Sequence, residues 1–508
     1  MKLTALFLHL STGVLLGTTY LAACADDATP IKFVLGATGG KDASARQKIT
    51  GDTTRLLAAR NFKALESNYQ KFTQGSRTPS GMWELSAFYD TLANQSQLKR
   101  DPAYWRTRLA LAAAWRKQFP QSVAARLFEV DINLQRTKAY RGTTDFAAVS
   151  AADRAEVMQA SSAAMKLLEE SKAHAAKARD PRWYQAMLGV LPYTSEFSQV
   201  TMKRFLDEGR ALYPAYHGIY ETAAFYAEPR WHGAPDADDQ IAREASNLAG
   251  DEQPSMYARI YRYLDQNYYH GKIFEVSHAD WPTLRTSFAH LARQYPDAWN
   301  LNAYGYYACL AKDYGTMHDV VQRPGFEPLE QVWGDGGLTI YDKCMKHGVD
   351  PAFESRQAAA RIERLKRNFY EYINFGIRLR EERDYEGSLE SLHKAEDIDR
   401  ELWRGNSMMP QFHLGMTYFK MQKYDDAVKA FTTGLQSQPD YAEAYWRRGL
   451  AFEALGRNDA AQEDFRVGAR YLTKALQTID RKRDTGNLAV IREMQETFKQ
   501  HGFETPAL

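Results

Sequence analysis

Between Tyr424 and Gly434 the apolar and small positions Tyr424, Ala427, Phe431 and Gly434 fall at i, i+3, i+7 and i+10, one stripe of a helix. Tyr385, Ser388, Leu392 and Ala395 repeat that stripe, and Phe62, Leu65, Tyr69 and Phe72 repeat it again near the start of the chain. Helices are therefore expected at both ends. Between them, Phe119-Pro120, Tyr213-Pro214 and Tyr295-Pro296, echoed by Gln438-Pro439, each close one helix and open a connection, because proline cannot donate to the preceding turn. The segments that follow, such as AYHGIYETAAFY and DAWNLNAYGYYACLA, carry small residues on one stripe and rings on another. In the second of them Ala303, Tyr307 and Leu310 share a face and Cys309 follows two rings, which reads as scaffold and not as a reactive thiol. Period-two alternation is sustained nowhere; the short apolar run from Ile31 to Gly36 reads as linker or edge packing.

The C-terminal quarter repeats itself. Gly415 recurs as Gly449, Tyr418 as Phe452, Ala427 as Ala461, Phe431 as Phe465 and Gly434 as Gly468, always 34 residues on. A copy upstream places Gly376, Leu379, Tyr385, Leu392 and Ala395 at the same offsets, with about five residues inserted around LWRGNS. This pattern resembles the tetratricopeptide repeat, two antiparallel helices packed through small residues at their crossing. The expected fold is all-α: a right-handed α-solenoid of helical hairpins with tetratricopeptide-like repeats at its C-terminus.

By that resemblance the first helix of each repeat lines a concave face. It carries Tyr370, Ile373, Ile377 and Arg380, then Met409, Phe412, Met416, Phe419 and Lys420, then Glu443, Trp446, Leu450 and Glu453. Methionine and aromatic side chains there suit recognition of an amphipathic peptide or helix. The opposing possibility is that a last helix, NLAVIREMQETFKQHGF, folds back over them. The lysine and asparagine set by which some such repeats clamp a free C-terminal carboxylate is absent.

The middle of the chain, roughly residues 45 to 345, is similar to an uncharacterised bacterial family, domain of unknown function 4034. The motifs are LLAARNFKALE, EPRWHGA, WPTLRTSF and YPDAWNLNAYGYYACLAKD followed by Trp333, with His232 standing where the family has glycine. The resemblance implies boundaries and no activity. The expected organisation is a leader over 1–24, a linker over 25–44, a helical-repeat region over 45–355, three tetratricopeptide-like repeats over 356–475 and a capping helix and tail over 476–508.

The N-terminus, MKLTALFLHLSTGVLLGTTYLAACADD, has one basic residue, an interrupted apolar stretch and small residues at its end, the layout of a secretory signal. Leu21-Ala22-Ala23-Cys24 matches the lipobox of bacterial lipoproteins, which implies lipidation of Cys24 and a membrane anchor. Ala23-Cys24-Ala25 also fits cleavage before Asp26, which would release a soluble secreted protein. The expected address is the periplasm or an outer membrane. In an oxidising compartment the other two cysteines, Cys309 and Cys344, are a candidate disulfide; two buried free thiols are the alternative.

Composition adds exclusions. With 65 basic and 63 acidic residues the net charge is +2, and loss of residues 1–24 removes only Lys2, so no electrostatic footprint for nucleic acid is expected. No catalytic, cofactor or metal set stands out: the 12 histidines are dispersed without a ligand motif, and His270, Glu275 and His278 are only a loose grouping. In IKFVLGATGGKDAS, Leu35 occupies a glycine's place in a phosphate loop and Asp42 that of the magnesium-binding hydroxyl. The function read from all this is a non-enzymatic scaffold or adaptor in the cell envelope, binding an unidentified envelope protein or peptide. Two other classes stay open: a glycan-binding surface lipoprotein with Trp231 and Trp299 as platforms, and a helical polysaccharide lyase with Asn267, Tyr269 and His270 converging in a cleft.

Overall fold

The computed structural model describes residues 40–93, 98–142, 148–248, 250–348, 352–477 and 488–507. The leader, Cys24 and the run from Ile31 to Gly36 lie outside the described residues. Within them the chain is all-α, built of helical hairpins, with no strand and a single isolated bridge between Arg77 and Trp83. Packing divides it into one unit up to Glu354 and a second from Ser355 onward.

The first unit contains α1 (Gly40–Ala58), α2 (Phe62–Phe72), α3 (Glu84–Ala93), α4 (Pro102–Gln118), α5 (Val123–Arg141), α6 (Ala151–Ala178), α7 (Arg182–Val190), α8 (Gln199–Leu212), α9 (His217–Tyr226), α10 (Ala237–Asn247), α11 (Met256–Leu264), α12 (Ile273–Val276), α13 (Trp281–Gln294), α14 (Ala298–Leu310), α15 (Tyr314–Val321) and α16 (Leu338–Met345). The aromatic-proline pairs do what their chemistry dictates: α4, α8 and α13 each stop at the residue before the aromatic, and α5, α9 and α14 begin within three residues of the proline. Side-chain caps fix many of the starts. Ser122 accepts from Ala125 N, Asp280 from Thr283 N, Asp297 from Trp299 N and Asp313 from Thr316 N. Helix α1 begins at Gly40, inside the stretch read as linker, because Asp42 in its first turn is buried and bound: its carboxylate accepts from Ser80 N at 2.9 Å and pairs with Arg46 at 2.7 Å.

This unit closes on itself. Helix α1 packs against both α3 and α14. The segment from Gly75 to Trp83 spans the gap: Arg77 pairs with Glu252 at 3.3 Å, the Trp83 indole donates to the Ala215 carbonyl at 3.1 Å, and the Asn300 amide donates to the Ser80 carbonyl at 3.0 Å. Gly81, at φ +80°, sits so close to the Tyr295 ring and Arg259 that a Cβ would lie 2.5–2.6 Å from them. The core is aromatic, with Trp105, Trp115, Trp183, Trp281 and Trp333 all buried.

The second unit contains α17 (Phe353–Glu381), α18 (Tyr385–Trp403), α19 (Met409–Lys420), α20 (Tyr424–Ser437), α21 (Ala442–Ala454), α22 (Asn458–Leu476) and α23 (Leu488–Gln500). Each hairpin crosses at its glycine: Gly376 meets Leu392, Gly415 meets Phe431 and Gly449 meets Phe465, and none of the three leaves room for a Cβ. The repeating residues are thus one recurring contact between a first-helix glycine and the large second-helix residue sixteen positions on. Helix α23 packs on α22 through Phe498, which is buried against Phe465 and over Gly468.

Candidate functional site

The first helices α17, α19 and α21 carry the residues assigned to the concave face, and burial divides them into two sets. Tyr370 is 52% exposed, Lys420 and Glu453 are exposed, and Ile377, Arg380, Met409, Met416 and Phe419 are half-buried. Phe412 and Trp446 are only 6% and 3% exposed and belong to the core. Both are corrections to the expected groove. Phe412 is held by Phe431 and Tyr441 at ring distances of 5.8 and 5.2 Å. Trp446 lies in a cluster with Ile491, Met494 and Phe498 of α23, and its indole donates to Thr497 at 3.1 Å. Glu453 meets His501 at 2.8 Å, and Leu450 packs on the same cluster. The third repeat's share of the face is therefore covered by the C-terminal helix, while the shares of α17 and α19 keep contact with solvent.

At the centre of that face the chemistry is polar. Arg380 donates to the His413 carbonyl at 3.4 Å, and Arg447 pairs with Glu443 at 3.4 Å while lying 3.8 Å over the Trp446 ring. Burial pushes the Glu443 carboxyl up, against the pull of Arg447. His413 is buried with neither ring nitrogen hydrogen-bonded; burial, with Arg380 beside it, pushes the imidazole down to about 3 and keeps it neutral.

In the first unit the residues of the lyase reading do not converge. Tyr269 is buried, with its hydroxyl 2.5 Å from Glu228 and 2.9 Å from Asp238. Asn267 instead donates to the Tyr263 carbonyl at 2.7 Å, and His270 ends a π-turn in the left-handed region. One phenol proton cannot serve two carboxylates, so the second contact needs a proton on Glu228 or Asp238. Burial raises both carboxyls accordingly, helped by Asp238 beside Glu228 and by Asp239 beside Asp238. His278 stands 3.9 Å from Asp238. The glycan platforms are also occupied: Trp231 is ringed by Tyr193, Phe197 and Tyr226, and Trp299 lies between Arg46 at 4.2 Å and Arg262 at 4.9 Å.

Tyr269 is one case of a construction that the sequence did not reveal. Asp180 accepts from Tyr69 at 2.9 Å and Tyr89 at 2.6 Å; Asp239 accepts from Tyr257 at 2.6 Å and Tyr261 at 2.9 Å; Asp265 accepts from Tyr307 at 2.8 Å. Many of the tyrosines are buried donors to buried carboxylates, which is why so polar an aromatic can fill this core. The only hint in the sequence was the coincidence of many tyrosines with acids such as Asp238 and Asp239. Cys309 on α14 and Cys344 on α16 form a disulfide with Cα atoms 5.9 Å apart. Among the described residues no group of histidine, cysteine and acidic side chains is arranged to hold a metal ion, and no helix is long and apolar enough to cross a membrane.

The family comparison agrees with the repeat geometry of the C-terminal unit. The tetratricopeptide repeat family matches residues 412–475, the segment that holds most of α19, all of α20 and α21, and α22 up to its last residue. No curated protein matches. Among solved structures, the crystal structure of yeast Tom70 aligns over 90% of this chain and 85% of its own, at 11% identity and a TM-score of 0.19. The protein is an all-α array of helical hairpins that carries tetratricopeptide repeats in its C-terminal unit.

Proposed function

We propose that the C-terminal repeats are a non-enzymatic docking platform for another protein and that the chain works in the bacterial cell envelope, tethered by lipid at Cys24. The observation that carries the docking role is the accessible row of Tyr370, Ile377, Met416 and Phe419 on consecutive first helices of a tetratricopeptide array. Apolar side chains on that spacing receive an amphipathic helix or peptide through its own apolar face. The lipobox-like Leu21-Ala22-Ala23-Cys24 supports the tether. The Cys309–Cys344 bond suits an oxidising compartment.

A photo-crosslinking residue placed at Phe419, and in a second variant at the exposed Lys429 on α20, tests the face directly. A partner captured from intact envelopes at position 419 and not at 429 is the expected result; the same capture at both, or at neither, refutes the platform. The tether is tested separately by Cys24→Ser, which is expected to abolish acyl labelling and release the protein from membranes. A wild-type chain that takes up no acyl label refutes the anchor.

A further inference from the structure

Glu228, Asp238, Tyr269 and His278 come from four separate stretches of the first unit: the turn after α9, the first turn of α10, the π-turn from Asp265 to Tyr269 that follows α11, and the connection leading into α13. Glu228, Asp238 and Tyr269 are 5%, 2% and 5% exposed. The Tyr269 hydroxyl is the hub, 2.5 Å from a Glu228 oxygen and 2.9 Å from an Asp238 oxygen. The EPRWHGA motif thus meets the π-turn at a single phenol.

The proton count is short by one when both acids are ionised. A phenol has one hydrogen to give, and an ionised carboxylate only accepts. One contact would then set oxygen against oxygen, with two negative charges within two hydrogen-bond lengths of each other away from water. With one proton added, every contact is a hydrogen bond: the protonated acid donates to the phenol oxygen and the phenol donates to the other carboxylate. Position selects Glu228 as the acid that holds it. Asp238 lies in the first turn of α10, where the helix dipole favours a carboxylate, and has His278 at 3.9 Å. The other groups facing the cluster leave that need in place. Arg230, on the same turn as Glu228, lies over the Tyr268 and Phe225 rings at 3.8 and 4.6 Å. Asp239 adds negative charge beside Asp238 and is itself held by Tyr257, Tyr261 and Arg243 at 2.6, 2.9 and 2.6 Å. Burial raises both carboxyls of the cluster, in agreement with a proton retained there.

What the cluster joins is tightly folded backbone. The Glu228 carbonyl accepts from Trp231 N at 2.8 Å and Gly233 N at 3.3 Å, in a turn so close that a Cβ on Gly233 would run into the Ala227 carbonyl. His270, directly after the π-turn, is left-handed at φ +49°. Such backbone persists where surrounding contacts over-determine it. We propose that Glu228, Tyr269 and Asp238 form a proton-operated latch. Closed while Glu228 keeps its proton, it pins the Glu228–Gly233 turn and the start of α10 to the π-turn; loss of that proton at alkaline pH turns the Glu228–Tyr269 contact repulsive and frees both segments.

Hydrogen exchange on the purified full chain tests this, corrected for the pH dependence of the chemical exchange rate and compared at about pH 6 and about pH 9. Helix α2 is the reference, because Tyr69 fastens it to Asp180, which accepts from two phenols and needs no further proton. Amides of residues 228–238 and 265–271 are expected to lose protection by about tenfold or more between the two conditions, relative to α2. Glu228→Gln places a permanent N–H donor where the proton sits and is expected to abolish that step, with protection kept at the higher pH. Tyr269→Phe removes the hub and is expected to abolish the step the other way, with protection already low at the lower pH. The proposal is overturned if the wild-type segments lose no more protection than α2, or if Glu228→Gln retains the wild-type step; should that variant not fold, the step persisting in Tyr269→Phe overturns it.

Discussion

Trp446→Ala separates a core residue from a recognition residue, because the two roles fail differently. The indole is 3% exposed, packs against Ile491, Met494 and Phe498, and donates to Thr497. Truncation of a buried tryptophan to alanine costs about 3–5 kcal/mol through lost burial and the cavity left behind. Losing the hydrogen bond leaves the Thr497 hydroxyl free to bond elsewhere, since it also donates to the Glu493 carbonyl at 2.9 Å, so packing dominates the loss. In a stack of repeats each element is stabilised mainly by its neighbours, so the cost falls on α23 and the outer face of α22. Hydrogen exchange is the assay of choice. Amides of residues 488–500 are expected to lose most of their protection, those of α22 part of it, and those of the first unit none. Phe419→Ala, on the half-buried part of the face, is expected to change stability by no more than about 1 kcal/mol. If Trp446→Ala leaves exchange in α22 and α23 untouched, the indole does not hold the C-terminal helix and the assignment of this position to the core is wrong.

Tyr269→Phe removes the hydroxyl shared by Glu228 and Asp238 and is expected to cost about 1–3 kcal/mol in denaturant unfolding of the first unit; an unchanged midpoint would count against the buried network. Reduction of the Cys309–Cys344 bond, which spans 35 residues, is expected to lower stability by about 4 kcal/mol on chain-entropy grounds, and non-reducing mass spectrometry that finds both thiols free rejects the bond. Burial raises the Asp90, Asp131, Asp180, Glu228 and Asp238 carboxyls in the folded first unit, so that unit holds protons the unfolded chain has released. What these groups contribute is complete below the ordinary carboxyl range and is lost as pH rises through neutrality; a melting temperature higher at pH 8 than at pH 5.5 contradicts this. His413 runs the other way: held neutral down to about 3 against an ordinary 6.5, it costs the C-terminal unit stability as pH falls below 6.5, and His413→Gln is expected to shed that part of the acid sensitivity in paired melts.

The hairpins were legible because their determinants are local. A glycine at Gly415 and a ring at Phe431, repeated at Gly449 and Phe465, describe a crossing between two helices joined by a short turn. Proline after an aromatic ends a helix wherever it occurs, which made the boundaries near Phe119, Tyr213 and Tyr295 readable. What escaped the sequence depends on partners far away. Tyr69 and its acceptor Asp180 are 111 residues apart, and the Asn300–Ser80 contact that helps close the first unit spans 220. No periodicity in one stretch of chain encodes such a pair.

Phe412 and Trp446 left the concave face for a related reason. The row containing Phe412 and Trp446 was assigned by register, and register fixes which way a side chain leaves its helix, not what lies beyond it. For Phe412 the neighbour is the next repeat, through Tyr441; for Trp446 it is α23. In a stack where every first helix is followed by another, the large residue of the row is buried by its successor. The positions flanking it, Met416 and Phe419 on α19 and Tyr370 and Ile377 on α17, stay at the edge of that contact and keep their access to solvent. The tyrosines carry the same lesson in the other direction. An aromatic-rich helical chain reads as a set of exposed platforms when rings alone are counted. Once each hydroxyl is matched to its carboxylate, as Tyr69 and Tyr89 are to Asp180 and Tyr257 and Tyr261 to Asp239, the rings become fasteners of a polar interior.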